Sequence, residues 1–178
     1  FLCAPVSCNT AYLAQLKEIV KDGCILTDVG SVKTSIHEEI IALNMEENFI
    51  GGHPMAGSEK SGFANSKAHL IENAYYILTP SAKVSAEKIS AYQELVSSLK
   101  ALPVVLDYHE HDHVTGTISH LPHIIASSLV NFVRDTDTQD ELMKALAAGG
   151  FKDLTRIASS SPVMWQQICL KNGGNISH

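Results

Sequence analysis

The run Ile50-Gly51-Gly52-His53-Pro54-Met55-Ala56-Gly57-Ser58-Glu59-Lys60-Ser61-Gly62 holds the residues best suited to chemistry. Phe49 and Ile50 read as a buried strand. The glycine pair that follows suits a sharp turn or a close approach to a ligand, because neither residue has a Cβ. His53 comes next, stiffened by Pro54, whose ring fixes its own φ and biases the preceding residue toward extended backbone. An imidazole at the C-terminal end of a strand in an open α/β sheet lies where such sheets bind and transform ligands. Its ordinary pKa of about 6.5 suits proton transfer near neutrality. A lone His in such a place could be only a loop cap, so the chemical reading leans on further polar clusters.

Three such clusters follow from the rest of the chain. Gly30-Ser31 ends an apolar stretch in the same way as His53 does, so both open on one rim. The segment after residue 108 is rich in His, with His111, Ser119, His120 and His123 among its polar side chains. At about 100° per residue, Thr115, Ser119 and His123 share one helical stripe, with His120 beside it. Gly149-Gly150-Phe151-Lys152-Asp153-Leu154-Thr155-Arg156 reads as a glycine break followed by charged residues. The run His109-Glu110-His111-Asp112-His113 nearly matches a zinc pattern. On a helix His109 and His113 pair at i, i+4 while His111 points away, so the three convergent ligands of a zinc site are lacking and no metal is expected.

The elements that must carry these groups alternate. Residues 1–6 read as a strand, and Asn9 to Lys21 as a helix with Leu13, Leu16, Ile19 and Val20 inward and Asn9 or Thr10 as N-cap. A strand over Cys24 to Val29, a helix over Val32 to Asn44 and the Phe49-Ile50 strand complete the rhythm of a parallel, doubly wound sheet. Ala74 to Thr79 is a further strand, Ser85 to Leu99 an amphipathic helix, and Leu102 to Leu106 a last, edge strand because of Pro103. From His109 to Val133 the pattern is one helix, kinked at Pro122, which lacks an amide donor. Helices over Thr138 to Ala147 and from Ser161-Pro162 follow, the second containing Trp165, read as a core residue with a wall of the site as the alternative. The division expected is 1–108 for the sheet and 109–178 for the helices.

Composition bounds the rest. A chain of 178 residues that is 45% hydrophobic can bury a sizeable core. A net charge of -6 without a basic block argues against a nucleic-acid surface, and no apolar run is long enough to span a bilayer. Cys3, Cys8, Cys24 and Cys169 lack paired or metal-finger spacing and read as reduced thiols of a cytoplasmic protein. A start inside an apparent central strand suggests a piece of a larger domain.

Taken together, the Gly30-Ser31-Val32-Lys33, Gly51–Gly62, Ser119-His120-Leu121-Pro122-His123 and Gly149–Ala158 blocks resemble, in order and spacing, the prephenate dehydrogenase family of tyrosine biosynthesis. The resemblance implies the C-terminal part of a Rossmann-type sheet followed by an all-helical dimerisation domain, truncated at both ends. It implies NAD rather than NADP as cofactor, prephenate as substrate and a homodimer. By resemblance His53 and Ser31 are the catalytic residues, His53 as the acceptor and Ser31 hydrogen-bonding near the hydroxyl and nicotinamide, and Ala4, Pro5 and Ser31 border the cofactor. Arg156, His123, His120, Ser119, His111, Ser58 and Glu59 are carried over as substrate-binding positions. The family's GxGxxG turn has no counterpart here, and Gly51-Gly52 leads into Pro54 rather than a helix N-terminus. Two alternatives stay open: an arogenate dehydrogenase, and a fragment that only folds or self-associates.

Overall fold

A computed structural model describes residues 1–57 and 62–177 of the chain. Its sheet is built around α1 (Val6–Lys17), α2 (Thr34–Ala42), β1 (Ile50–Pro54), β2 (Tyr75–Pro80), α3 (Ala86–Ser98) and β3 (Leu102–Val105). Leu2 bridges Asp28 and Leu26 bridges Phe49, both in parallel, so the first segments run in the expected direction, although the strand expected over Cys24 to Val29 is reduced to these isolated bridges. The later strands differ from an all-parallel sheet. β1 and β2 are antiparallel, with His53 opposite Ile77, while β2 and β3 are parallel. The connection types fit this: among the described residues between β1 and β2 the helical structure is a single 3-10 turn, Phe63–Asn65, whereas α3 carries the chain across between β2 and β3.

The first expected strand shrinks to the bridge at Leu2, and the helix begins at Val6, with Pro5 at its N-cap. Asn9 is therefore inside α1 and does not cap it. It is fully buried, and its Oδ1 accepts the Ala4 amide at 3.1 Å, satisfying the approach to the helix from within. The helix stops at Lys17, leaving Ile19 exposed.

Apolar residues cover both faces of the sheet. Leu13, Ile36 and Ile40 pack with Leu26, Met45 and Phe49 on one side. Tyr92 and Val96 of α3 pack with Ile50, Tyr76 and Leu78 on the other. Gly51 and Gly52 belong to β1 rather than to a turn, and the reason for glycine is close packing. A Cβ on Gly51 would lie 2.3 Å from Thr79 Oγ1, and one on Gly52 would lie 2.6 Å from the Asp28 carbonyl oxygen. His53 consequently sits within the strand, not on a loop beyond it.

The helical part comprises α4 (Tyr108–Thr115), a π turn over Gly116–His120, α5 (Leu121–Thr136), α6 (Leu142–Leu146), α7 (Gly149–Thr155), a 3-10 turn over Arg156–Ser159, α8 (Pro162–Lys171) and α9 (Gly173–Ile176). Asp107 caps α4, its Oδ1 accepting the His109 amide at 2.8 Å. The single expected helix is interrupted by the π turn just ahead of Pro122. A ring without an N–H disturbs the i−4 bond there, and a widened turn accommodates it. The expected glycine break is in fact helical, since α7 starts at Gly149, and the helix expected over Thr138 to Ala147 shortens to α6. Ser161 caps α8 with Pro162 at its first position, as the sequence suggests.

Candidate active site

The position of His53 is set from behind. Gly52, its neighbour in β1, donates its amide to Asp28 Oδ1 at 3.2 Å and offers its carbonyl to Lys33 Nζ at 2.8 Å. Lys33 and Asp28 form an ion pair with no exposed side-chain surface to speak of. Burial pulls the Lys33 ammonium below its usual range, while Asp28 opposes that shift. Asp28 Oδ2 also accepts the Gly30 amide at 2.9 Å, which fixes the chain just before Ser31. One buried pair thus anchors the backbone at both Ser31 and His53.

The His53 ring is fixed by a relay. Its Nδ1 lies 2.8 Å from His111 Nε2, and His111 Nδ1 lies 2.8 Å from Asp112 Oδ1. Asp112 also accepts the amides of Lys33 at 2.8 Å and Thr34 at 2.7 Å, at the N-terminus of α2. Burial alone would raise the Asp112 pKa, but these hydrogen bonds outweigh it and the carboxyl is held below its ordinary range. An ionised carboxylate only accepts, so His111 donates through Nδ1, and in a neutral ring its Nε2 then accepts. His53 must then donate through Nδ1, which leaves its Nε2 as a lone-pair acceptor. Burial, followed by the neighbouring His111 and Lys33, pushes the His53 pKa well below 6.5, so the ring is neutral at physiological pH.

His53 and Ser31 line a cavity of about 260 Å³ together with Ser119, His120, Met164 and Trp165. A neighbouring cavity of about 630 Å³ is lined by Ala4, Pro5, Val29, Gly30 and Ser31, and shares Ser31, Met164 and Ile168 with the first. The rim expected from the two strand ends is therefore present, with Ser31 at the junction. Of the positions carried over by resemblance, His53, Ser31, Ser119 and His120 meet in one cavity, and Ala4 and Pro5 border the next.

The others are placed differently. His111 is fully buried behind His53, not in the cavity, because both ring nitrogens are engaged in the relay. His123 is buried as well; its ring stacks on Trp165 at 3.6 Å and 4° and its Nε2 meets Ser127 Oγ at 3.3 Å. It supports the Trp165 wall from behind. Trp165 is half-buried and faces the cavity, so it walls the site rather than filling a core. Arg156 is exposed on the 3-10 turn packed against α5 and is not among the cavity-lining residues. Ser58 and Glu59 lie outside the described residues.

Sequence reasoning missed Asp112, Asn172 and the Asp28–Lys33 pair. Asp112 stood inside a His-rich run that invited a metal reading, and its adjacency to His111 was the available signal. Asn172, ahead of two glycines, looks like an ordinary helix end.

Residues 1–105 match the family described as prephenate dehydrogenase, nucleotide-binding domain, and residues 107–178 match prephenate dehydrogenase, dimerization domain. A prephenate dehydrogenase of Bacillus subtilis (strain 168) is 44% identical over 169 residues, 92% of this chain and 46% of that protein. One from Lactococcus lactis subsp. cremoris (strain MG1363) is 45% identical over 174 residues, 96% of this chain and 47% of that protein. The chain thus spans about half the length of these curated relatives. The crystal structure of prephenate dehydrogenase from A. aeolicus in complex with hydroxyphenyl propionate and NAD+ superposes with a TM-score of 0.90 at 35% identity, covering 99% of this chain and 61% of that one. Synechocystis arogenate dehydrogenase superposes with a TM-score of 0.86 at 30% identity, over 99% of this chain and 64% of that one. Both halves of the sequence and the whole described fold point the same way, and the chain belongs to the prephenate dehydrogenase family.

Proposed function

We propose that this chain carries the reaction centre of an NAD-dependent enzyme that oxidatively decarboxylates prephenate to 4-hydroxyphenylpyruvate in tyrosine biosynthesis, working in the cytoplasm. The observation that carries the reading is the pair of adjoining cavities, with His53 in one and Ser31 in both. Residues 1–108 would form the nucleotide-binding half and 109–178 the helical half.

The larger cavity suits a nicotinamide. Its walls are strand-end backbone and small or apolar side chains at Ala4, Pro5, Val29 and Gly30, and it opens directly on the His53 cavity. Bound there, NAD+ supplies the acceptor for the hydride on C4 of prephenate, and the ring carboxylate leaves as CO2 while its bonding pair completes the aromatic ring. His53 Nε2 accepts the hydrogen bond of the C4 hydroxyl and disperses the positive charge that builds on that oxygen as hydride departs. The phenol of the product keeps the hydroxyl proton. Ser31 positions the same hydroxyl at the cofactor side. Ser119 and His120 donate to the substrate's polar groups, and His123 holds the Trp165 wall. Arg156 takes a carboxylate through its planar fork, and Ser58 and Glu59 are kept as substrate-binding positions by the family resemblance alone. His111 acts on His53 rather than on substrate.

A homodimer fits the helical half. Ile118, Leu121, Ile125 and Phe132 recur at helical spacing and are all exposed, an apolar stripe that a second copy would cover.

Arogenate, with an amino group where prephenate has a keto group, is the competing substrate, and the similarity to the Synechocystis arogenate dehydrogenase favours keeping it in view. Reduction of NAD+ by the full chain with each substrate tests the reading. Turnover of prephenate with release of CO2 is expected. A strong preference for arogenate would replace the substrate, and failure to bind NAD+ or to oxidise either compound would leave a chain that only folds and self-associates.

A further inference from the structure

Asn172 is a buried amide at the junction of α8 and α9, 3% exposed, and every hydrogen-bonding group on its side chain is engaged. Its Nδ2 donates to the Asp112 carbonyl at 2.8 Å and lies 2.9 Å from His120 Nδ1, while its Oδ1 accepts from Asn175 Nδ2 at 2.8 Å. The orientation of the amide is therefore determined: a flip would set Oδ1 against the Asp112 carbonyl and Nδ2 against the Asn175 donor. With one Nδ2 hydrogen on Asp112, the other points at His120 Nδ1, which must accept it. A neutral imidazole that accepts at Nδ1 carries its hydrogen on Nε2. Gly116, at the start of the π turn, leaves room for this arrangement, since a Cβ there would come within 3.2 Å of Asn172 Nδ2.

His120 lines the same cavity as a ring in the reverse state, His53. His53 is bound through its Nδ1–H and offers a bare Nε2, whereas His120 is bound through a bare Nδ1 and offers Nε2–H. We propose that Asn172 is a positioning residue that holds His120 as an Nε2–H donor, so that the cavity presents one fixed acceptor and one fixed donor to the same ligand. A ligand that matches this pair has a hydroxyl at one end and an oxygen acceptor, carboxylate or keto, at the other. The direction of binding is then set by the two tautomers: a substrate entering reversed would face His53's lone pair with its own acceptor and His120's N–H with its hydroxyl. The inference rests on the functional reading above for the identity of the ligand, but the tautomer itself does not.

Nitrogen-15 NMR of the full chain with labelled histidine reads the tautomer directly. For the wild-type protein near neutrality we expect His120 to show an unprotonated Nδ1 and a protonated Nε2, and His53 the opposite. A protonated Nδ1 on His120 overturns the proposal, whatever the chain does with prephenate. Asn172→Asp replaces the donor by an acceptor of the same shape and should move the His120 hydrogen to Nδ1. In the same variant KM for prephenate should rise about 10–100-fold, as expected for losing a donor to a charged group, with kcat changed much less. Hydroxyphenyl propionate, the ligand in the A. aeolicus complex, serves as a binding probe without turnover. It should shift the His120 Nε2–H resonance in the wild-type protein, and no shift on saturation overturns the donor role. If prephenate is not turned over yet the tautomers are as stated and the probe moves the Nε2–H resonance, the substrate reading fails and the positioning role of Asn172 stands.

Discussion

The two walls of the cavity are built on different principles. On the sheet side, His53 rests on a buried chain of partners: Gly52 held by Asp28 and Lys33, and the ring held by His111 and Asp112. None of these supporting side chains is exposed, and each polar contact is protected from competing water. On the helical side, Trp165 is stacked on His123 and His120 is tied to Asn172, but Arg156 lies exposed on a 3-10 turn and Ile118 and Phe132 face outward. The contrast suggests a division of labour. On the proposed reading, the group that would meet charge developing in the transition state, His53, is preorganised within this chain, where rigidity contributes most. On the same reading, Arg156 is the proposed substrate-holding group that sits on a surface a second copy would complete.

The sharpest way to break this comparison is to remove the preorganised acceptor. His53→Asn should lower kcat by about 10²–10⁴, the usual span for a general acid–base group, with little change in KM. The pH profile supplies the sign. On the proposed mechanism neutral His53 is the active form, and burial places its pKa well below 6.5. Activity should therefore hold through neutrality and fall only as pH drops through that depressed value, and the acidic limb should vanish in His53→Asn. A wild-type limb centred at 6.5 or above would show that the ring is not desolvated as described, and an unchanged kcat in the variant would reduce the relay to a structural feature.

Acid also tests the buried side through stability. His37 is fully buried, contacting Thr79 Oγ1 at 3.0 Å and Ser81 Oγ at 3.2 Å, and burial lowers its pKa from 6.5 to about 4. His120 is likewise lowered to about 4, chiefly by burial. Above about pH 6.5 both rings are neutral in the folded and unfolded chains, and their contribution is constant. Between about 6.5 and 4 the unfolded chain takes up protons that the folded one refuses, so stability falls with pH by up to about 1.4 kcal/mol per unit for each ring. Below about 4 the folded state protonates too and this loss levels off. Across that window His37 accounts for at most about 3 kcal/mol, and His120, which opens on the cavity, for less. Urea midpoints measured from pH 7 to 4.5 should fall accordingly, and His37→Gln should flatten the slope. A midpoint that stays level over that range would contradict the burial of these rings.

Much of this was legible in the sequence, for reasons that differ by region. The alternation of apolar runs with Gly-Ser and Gly-Gly-His endings announced a sheet whose rim gathers Ser31 and His53, because strand ends on one edge must converge. The local role of Gly51 and Gly52 was not legible: glycine suggests a turn, and only the tertiary packing of Thr79 and Asp28 shows why a strand needs it here. The same limit applies to β2, whose direction depends on how residues 55–74 return, and to the π turn, where Pro122 signalled a disturbance but not its form. The relay was hidden because His53 lies 58 residues from His111 in sequence, and a pattern search within the His-rich run reads His111 and Asp112 as metal ligands. Asn172 carried no signal at all, since an Asn before glycines is what any helix end offers.

The smallest predicted effect concerns the exposed wall. Arg156 is assigned to a substrate carboxylate that is present in the ground state and the transition state alike, so its loss should appear as uniform binding. Arg156→Gln should raise KM about 10–100-fold, the equivalent of a charge-assisted hydrogen bond worth roughly 1.5–3 kcal/mol, and leave kcat nearly unchanged. Arg156→Lys keeps the charge but loses the planar fork, and should fall between the two. The opposite signatures of His53 and Arg156, one in kcat and one in KM, are what the contrast between the walls requires. Because Arg156 does not line the cavity within a single chain, its effect should also depend on assembly. Diluting the wild-type protein below its dimerisation constant, followed by sedimentation, should reproduce the rise in KM, whereas the same dilution of Arg156→Gln should add little. If Arg156→Gln binds prephenate as the wild type does, the carboxylate is held elsewhere, and the helical wall acts on the substrate through Ser119, His120 and Trp165.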